Sequence, residues 1–281
     1  MGGMLTRHHF RRFMSLIMLA GLMQPGAWAA PPLATPDQVV QRMTSGEWAR
    51  LTDEQVLSVV QQLGSEGIVR YLELGMRQLP EYELWMTRQE RLADGWNDKP
   101  FVNYLKYRHQ PRQVYMSWLK GGPKAGQEIL YDETLRKDAM YGHVSGVFNV
   151  MSIWTALDGA LARANSLHSV RDAGLQSVVE ILRAQLEARR HGGVLPKPDQ
   201  VEIDHIGGQR VVAVTWTSSG GEQAGYAHQT RLSLDLMMPV VRQVTSWDAK
   251  GHLRERIVFE RIQPTRLTPA DFDPRHPAYS F

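Results

Sequence analysis

Residues 113–119 read Gln113-Val114-Tyr115-Met116-Ser117-Trp118-Leu119, and Lys120-Gly121-Gly122-Pro123-Lys124 follows. Val114, Met116 and Trp118 recur with a period of two, so they share one face of a half-buried strand. The Gly-Gly-Pro run is a turn ahead of the next strand. Working outward, Tyr82–Arg91, Phe101–His109, Gln127–Tyr131 and Ala139–Val144 are short runs rich in β-branched and aromatic residues. Gly, Pro, Asn or Asp separate most of them. The spacing predicts an antiparallel meander.

The period is helical on either side. Thr52-Asp53-Glu54-Gln55 opens a helix with Thr52 as cap and acids in the first turn. Val56, Val59, Val60 and Leu63 then fall on one face, and Gly64-Ser65-Glu66-Gly67 breaks the helix. A second helix runs through Ile68, Tyr71, Leu72 and Met76 towards Pro80. The helical period returns between about 147 and 195, with Ser169–Arg190 as the best helix; Gly192-Gly193, Pro196 and Pro198 end it. Strands resume over Val201–Ile206, Arg210–Thr217, Ala227–Leu236, Pro239–Trp247 and Leu253–Ile262. His205-Ile206-Gly207-Gly208 and Asp248-Ala249-Lys250-Gly251 read as hairpin turns. Two strand blocks, interrupted by a helix and preceded by helices, predict an α+β architecture.

Arg7, Arg11 and Arg12 lead into the apolar run Phe13–Met23, and Ala27-Trp28-Ala29 follows Pro25-Gly26. That is the layout of a secretory signal peptide over residues 1–29, cleaved near Ala29/Ala30. The run would rise about 16 Å as a helix, roughly half a bilayer core, so it is too short to span. A periplasmic location is expected. The chain carries 32 Lys+Arg against 29 Asp+Glu, and the predicted signal holds three of the Arg and no acid. Its removal leaves the charges balanced, so no nucleic-acid partner is implied. No later run is long enough to span a membrane. Cysteine is absent, which excludes disulfides, thiolate ligands and a Cys nucleophile.

Several longer phrases carry a family resemblance. Glu90-Arg91-Leu92-Ala93-Asp94-Gly95, the stretch from Tyr107 to Trp118, and Gly126-Gln127-Glu128-Ile129-Leu130-Tyr131 are three of them. Leu267-Thr268-Pro269-Ala270-Asp271-Phe272-Asp273-Pro274 and Pro277-Ala278-Tyr279-Ser280-Phe281 complete the set. In this order they resemble the bacterial DUF1571 family of unknown function, over roughly residues 80–281. That family is similar to the LolA/RseB-type envelope proteins. The resemblance implies a strongly curved antiparallel sheet, a half-open barrel, covered by helices over an apolar cavity. The expected organisation is then a signal peptide (1–29), an N-terminal helical segment (30–80) and a half-barrel domain (81–281) with a helical insertion at 147–195.

Motifs for chemistry are missing. Gly142-His143-Val144-Ser145-Gly146 has the wrong spacing for a nucleophile elbow, and His143 reads better as a solvated or hydrogen-bonded strand residue. The His residues are scattered, without His-x-x-x-His or His-Glu-x-x-His. Asp271, Asp273 and His276 read as a helix start capped by Thr268 rather than as a metal site. Gly207-Gly208 and Gly220-Gly221 lie between strands, so they are turns and not phosphate loops. No catalytic residue, metal or cofactor is expected.

Large apolar residues remain: Trp85, Trp118, Trp154, Trp216 and Trp247, with Met86, Met116, Met140, Met151, Met237 and Met238, in or beside the strand blocks. Such residues usually fill a core, but Met and aromatics also make adaptable ligand walls. With the fold that the resemblance implies, Val114, Met116, Trp118, Trp216, Leu232, Leu234 and Trp247 are the candidate cavity residues. Arg88 and Glu90 are gate candidates if they form a buried pair, although a solvated strand face is the plainer reading. The expected function is a non-catalytic carrier or sensor for a lipid or lipoprotein acyl chain. Each buried CH₂ contributes about 0.8 kcal/mol, so a dozen give about 10 kcal/mol before ordering costs. The rivals are an envelope protein-interaction module with a filled core, binding another envelope protein, and an envelope lipid- or glycan-modifying enzyme.

Overall fold

The alternation around Met116 recurs as alternating burial along whole strands. The computed structural model describes residues 34–143, 152–163, 166–218 and 227–281. The predicted signal peptide, Val144-Ser145-Gly146, Met151 and Gly220-Gly221 lie outside them. Strand β1 (Glu81–Leu92) buries every second residue from Tyr82 to Glu90. After the short β2 (Gly95–Trp96), β3 (Phe101–Arg108) buries Phe101, Asn103, Leu105 and Tyr107. The meander continues through β4 (Gln113–Trp118), β5 (Glu128–Asp132), β6 (Ala139–His143) and β7 (Ile153–Ala156). A second meander holds β8 (Gln200–Ile206), β9 (Gln209–Thr217), β10 (Gln229–Asp235), β11 (Val241–Trp247) and β12 (Leu253–Pro264).

Antiparallel pairing of β1 with β12 joins the two meanders into a 12-stranded sheet with the order β7-β6-β5-β4-β3-β1-β12-β11-β10-β9-β8, with β2 attached to β1. The ends β7 and β8 are not paired with each other, so the sheet stays open. It is strongly curved. β6 and β10 stand seven steps apart in that order, about 34 Å on a flat sheet at the usual strand spacing. Met140 of β6 and Leu232 of β10 nevertheless line one cavity.

Helices cover the concave face. The first, α1 (Pro36–Thr44), starts on a Thr35–Gln38 capping box with Pro at its first position. The second, α2 (Asp53–Gln78), starts on a Thr52–Gln55 capping box and bends at Gly64, whose φ of 57° and ψ of −171° are open only to glycine. One hydrophobic core joins Val39, Val56, Ile68 and Leu72 of these helices to Leu84, Leu105, Val214 and Leu234 of the sheet.

The predicted helical insertion departs most from expectation. Ile153–Ala156 adds a strand to the sheet, and α3 (Ala160–Arg163) is a single turn. The helix expected from Ser169 to Arg190 divides into a 3₁₀ turn at Val170–Asp172, capped by Ser169, and α4 (Leu175–Glu187). Gly174 separates them because it packs on Tyr107, whose ring would lie 2.3 Å from an added Cβ.

The convex face carries a smaller core of Tyr115, Leu130, Leu267 and Phe272. Thr268 and Asp271 cap the 3₁₀ turn Pro269–Phe272 there. Tyr279 stacks on Tyr115 at 3.8 Å, and Phe281 lies 5.4 Å from Tyr141.

Candidate functional site

Curvature leaves a hollow between the concave face and α4. Its empty volume, including the part open to solvent, is about 1110 Å³. Met86, Met116, Trp118, Ile129 and Met140 form one wall. Leu232, Val244, Ile257 and Phe259 form the other, and Val178, Ile181 and Leu182 of α4 the roof. The β-period supplies the walls, since alternate residues of each strand face inward. The 3.6-residue period supplies the roof, because residues 178, 181, 182 and 185 share one helix face.

The candidate cavity residues are distributed unevenly over this geometry. Met116, Trp118 and Leu232 line the hollow. Val114 shares their face but lies one register row away, between Tyr107 and Tyr131, where it is wholly buried in the core. Leu234 faces a separate small void beneath α1 and α2, beside Met43, Trp48 and Tyr71. Trp216 is also buried away from the hollow, its Nε1 donating to Ser65 Oγ at 2.9 Å. Trp247 is half-buried and does not reach it. Val244 and Ser246 take the inward positions of β11, opposite Leu232 and Thr230, so alternation turns Trp247 to the other face.

Arg88 and Glu90 are not on a solvated face. They are 6% and 0% exposed and belong to the same inward row as Tyr82, Leu84 and Met86. Arg88 Nε lies 3.4 Å from Glu90 Oε2, and the guanidinium stands 5.6 Å over the Phe101 ring. Glu255 of β12 pairs in register with Glu90. The segment ahead of α4 closes over both. Glu90 Oε1 accepts from Ser166 Oγ and Leu167 N, each at 3.1 Å, and Arg88 Nη1 donates to Ser166 Oγ at 2.8 Å. His168 Nε2 lies 2.8 Å from Glu255 Oε2, whose Oε1 accepts from Ser246 Oγ at 3.1 Å.

Burial alone would lower the His168 pKa, but the hydrogen bond and charge of Glu255, helped by Glu90, outweigh it and raise it. Arg88 and His168 thus face Glu90 and Glu255 at this corner of the hollow, and Lys124 stands 5.4 Å over the same Phe101 ring as Arg88. Glu90, His168 and Glu255 also bring three potential ligand atoms within 4.8 Å of one another, a spacing that could hold a metal ion.

Ser166, His168 and Glu255 line the hollow and Asn103 stands in register between its lining residues Met86 and Trp118, yet none of the four is among the candidates expected from the sequence. Parity was the available signal for two of them. Asn103 alternates with Phe101, Leu105 and Tyr107, and Glu255 with Ile257 and Phe259, so an apolar row runs through each polar residue. No signal ties His168 to Glu255 across 87 positions.

The cation reading of the C-terminal acids also resolves. Asp271 is bound by Lys106 at 2.6 Å and by Thr268. Burial raises its pKa, yet these hydrogen bonds prevail and bring it to about 2. Asp273 pairs instead with Arg275. His143 is buried in its strand, with Nε2 2.9 Å from Gly126 O.

No helix among the described residues is long and apolar enough to cross a membrane. The fold is similar to that of an uncharacterized conserved protein from Thermus thermophilus, with 13% identity, a TM-score of 0.43, and 76% of this chain and 94% of that chain covered. A LolA superfamily protein from Nitrosomonas europaea is 8% identical with a TM-score of 0.33, over 75% of this chain and 97% of that one. The MucA/MucB complex of Pseudomonas aeruginosa matches at 13% identity and a TM-score of 0.40, over 73% of this chain and 60% of the matched chain. No curated protein matches the chain in sequence. The model of the DUF1571 family, proteins of unknown function, matches residues 79–281, the whole curved sheet with its inserted helices and C-terminal tail, and the chain belongs to that family.

Proposed function

We propose that this chain is an exported envelope protein that holds an acyl chain or lipid in the hollow beneath α4, as a carrier or sensor rather than a catalyst. The observation that carries the reading is the hollow itself, walled mainly by Met, Trp, Phe and branched aliphatic side chains, with Arg88, His168, Asp172 and Glu255 also in its lining. The interaction-module reading requires a filled core and is less well supported for that reason. Export rests on the signal-peptide layout of residues 1–29, with the periplasm as the site of action. The half-barrel of 81–281 supplies the binding unit, and α4 with the segment before it is the cover through which a ligand enters.

The test is the small-molecule content of protein purified without detergent. Organic extraction and mass spectrometry should recover a lipid or acylated compound, and the extracted protein should take up an apolar fluorescent dye. Protein that carries no such compound and gives no dye signal would remove the carrier reading.

A further inference from the structure

The concave wall carries a buried amide that packing does not explain. Asn103 is wholly buried and stands in register between Met86 and Trp118, both of which line the hollow. Among the described residues, neither its amide oxygen nor its amide nitrogen has a hydrogen-bond partner, and neither does Trp118 Nε1. Buried amides are ordinarily satisfied, and one left without partners is costly. Leucine has nearly the same shape and would avoid that cost, as it does two positions on at Leu105. The unsatisfied groups thus mark a place where a partner is expected, at the edge of a cavity able to deliver one.

Resting on the acyl-chain reading above, we infer that Asn103 and the Trp118 indole N–H form the polar end of this cavity, a subsite for the head of a neutral acylated amphipath. The matching chemistry is an acyl ester carrying a free hydroxyl, or an acyl amide. Such a head accepts from the indole N–H and both donates to and accepts from the Asn103 amide. Its neutrality follows from the neighbouring row. Arg88 and His168 are already engaged with Glu90 and Glu255. A free carboxylate would add an anion to a lining that already holds Glu255 and Asp172 beside Glu90, and an ammonium would face Arg88 and Lys124.

The test uses the full chain freed of bound lipid and loaded with N-phenylnaphthylamine, displaced by monooleoylglycerol, oleoylethanolamide or oleate at about pH 8, where the carboxylate of oleate is ionised. The neutral esters or amides should displace the dye at concentrations about tenfold below that of oleate, the worth of one good buried hydrogen bond. Whichever of the two acts at the lower concentration assigns the linkage. Asn103→Leu should raise the thermal midpoint, because it removes an unsatisfied amide, and yet weaken the neutral ligands to the level of oleate. Trp118→Phe should weaken them similarly with little effect on oleate, and it keeps the test decisive if the first variant folds badly. Oleate displacing as well as the neutral probes, or Asn103→Leu binding them like the parent, would overturn the inference and leave acyl-chain binding intact. If none of the three probes displaces the dye, the acyl-chain reading itself fails, and this inference with it.

Discussion

His168 and Glu255 put a titratable link between the cover and the sheet, 2.8 Å long and largely out of solvent. The raised His168 pKa fixes the sign of its pH effect. A histidine whose folded pKa exceeds the unfolded value stabilises fully below about pH 6.5, and the contribution is lost as pH rises through the folded value. Urea unfolding between about pH 5 and pH 9 should therefore show stability falling on the alkaline side, and His168→Gln should flatten that part of the profile. Parallel profiles for the two proteins would show that His168 is not charged in the folded state. Glu255→Gln removes the group that raises the His168 pKa, so the imidazole can lose its proton and the cost near pH 6 should be about 1 kcal/mol, with the alkaline fall abolished. Glu90→Gln should cost more, about 3 kcal/mol, because Arg88 loses its partner and cannot deprotonate. Arg88, Glu90 and Glu255 share a concave row or its neighbour, so the double variant Glu90→Gln/Glu255→Gln should deviate from additivity.

At the scale of the element, two glycines decide how α2 lies on the sheet. Gly75 faces the turn between β10 and β11, where an added Cβ would stand 2.0 Å from Pro239 O. Helix propensity alone predicts that Gly75→Ala stabilises by about 1 kcal/mol. The clash is with backbone, which cannot swing aside as a side-chain tip can, so the expected outcome is a loss of about 2 kcal/mol in denaturant unfolding. A stabilised variant would mean that α2 sits farther from the turn. Gly64→Ala should destabilise by about 1 to 3 kcal/mol, because its φ and ψ are closed to a residue with a Cβ. On the convex side, the C-terminal tail is held by aromatic stacking. Tyr279→Ala removes the ring on Tyr115 and the hydrogen bond from its hydroxyl to Asp271 O at 2.6 Å. Proteolysis of the tail should then accelerate, with the half-barrel persisting as the resistant fragment.

For the whole molecule, the cavity couples binding to stability. A ligand that binds only the folded state at a hundred times its Kd adds about 2.7 kcal/mol, so an authentic ligand should raise the thermal midpoint by several degrees. Met140→Trp, on the half-buried wall of the hollow, fills space the ligand would occupy and should suppress both dye uptake and that shift. Much of this architecture was legible along the chain. The inward rows of β1, β3 and β4, the hairpin turns at Gly207-Gly208 and Gly251, and the helix starts at Thr52 and Thr268 are written in local periods and caps, which depend on residues a few positions apart. The strand Ile153–Ala156 and the division at Gly174 were not, because a neighbouring strand and the Tyr107 ring impose them. The site was legible by half. Inward-facing Met116, Trp118 and Leu232 follow from parity, whereas their separation from Trp216 and Leu234 depends on where α2 and α4 press on a curved sheet. By itself the sequence determined which side chains turn inward and where each element begins. Only the tertiary structure decided which inward side chains meet packing and which meet an empty volume, and that Glu90, His168 and Glu255 converge. Burial along a strand is set by a period of two residues, but a hollow is set by how far a twelve-stranded sheet bends, a property of all its strands together.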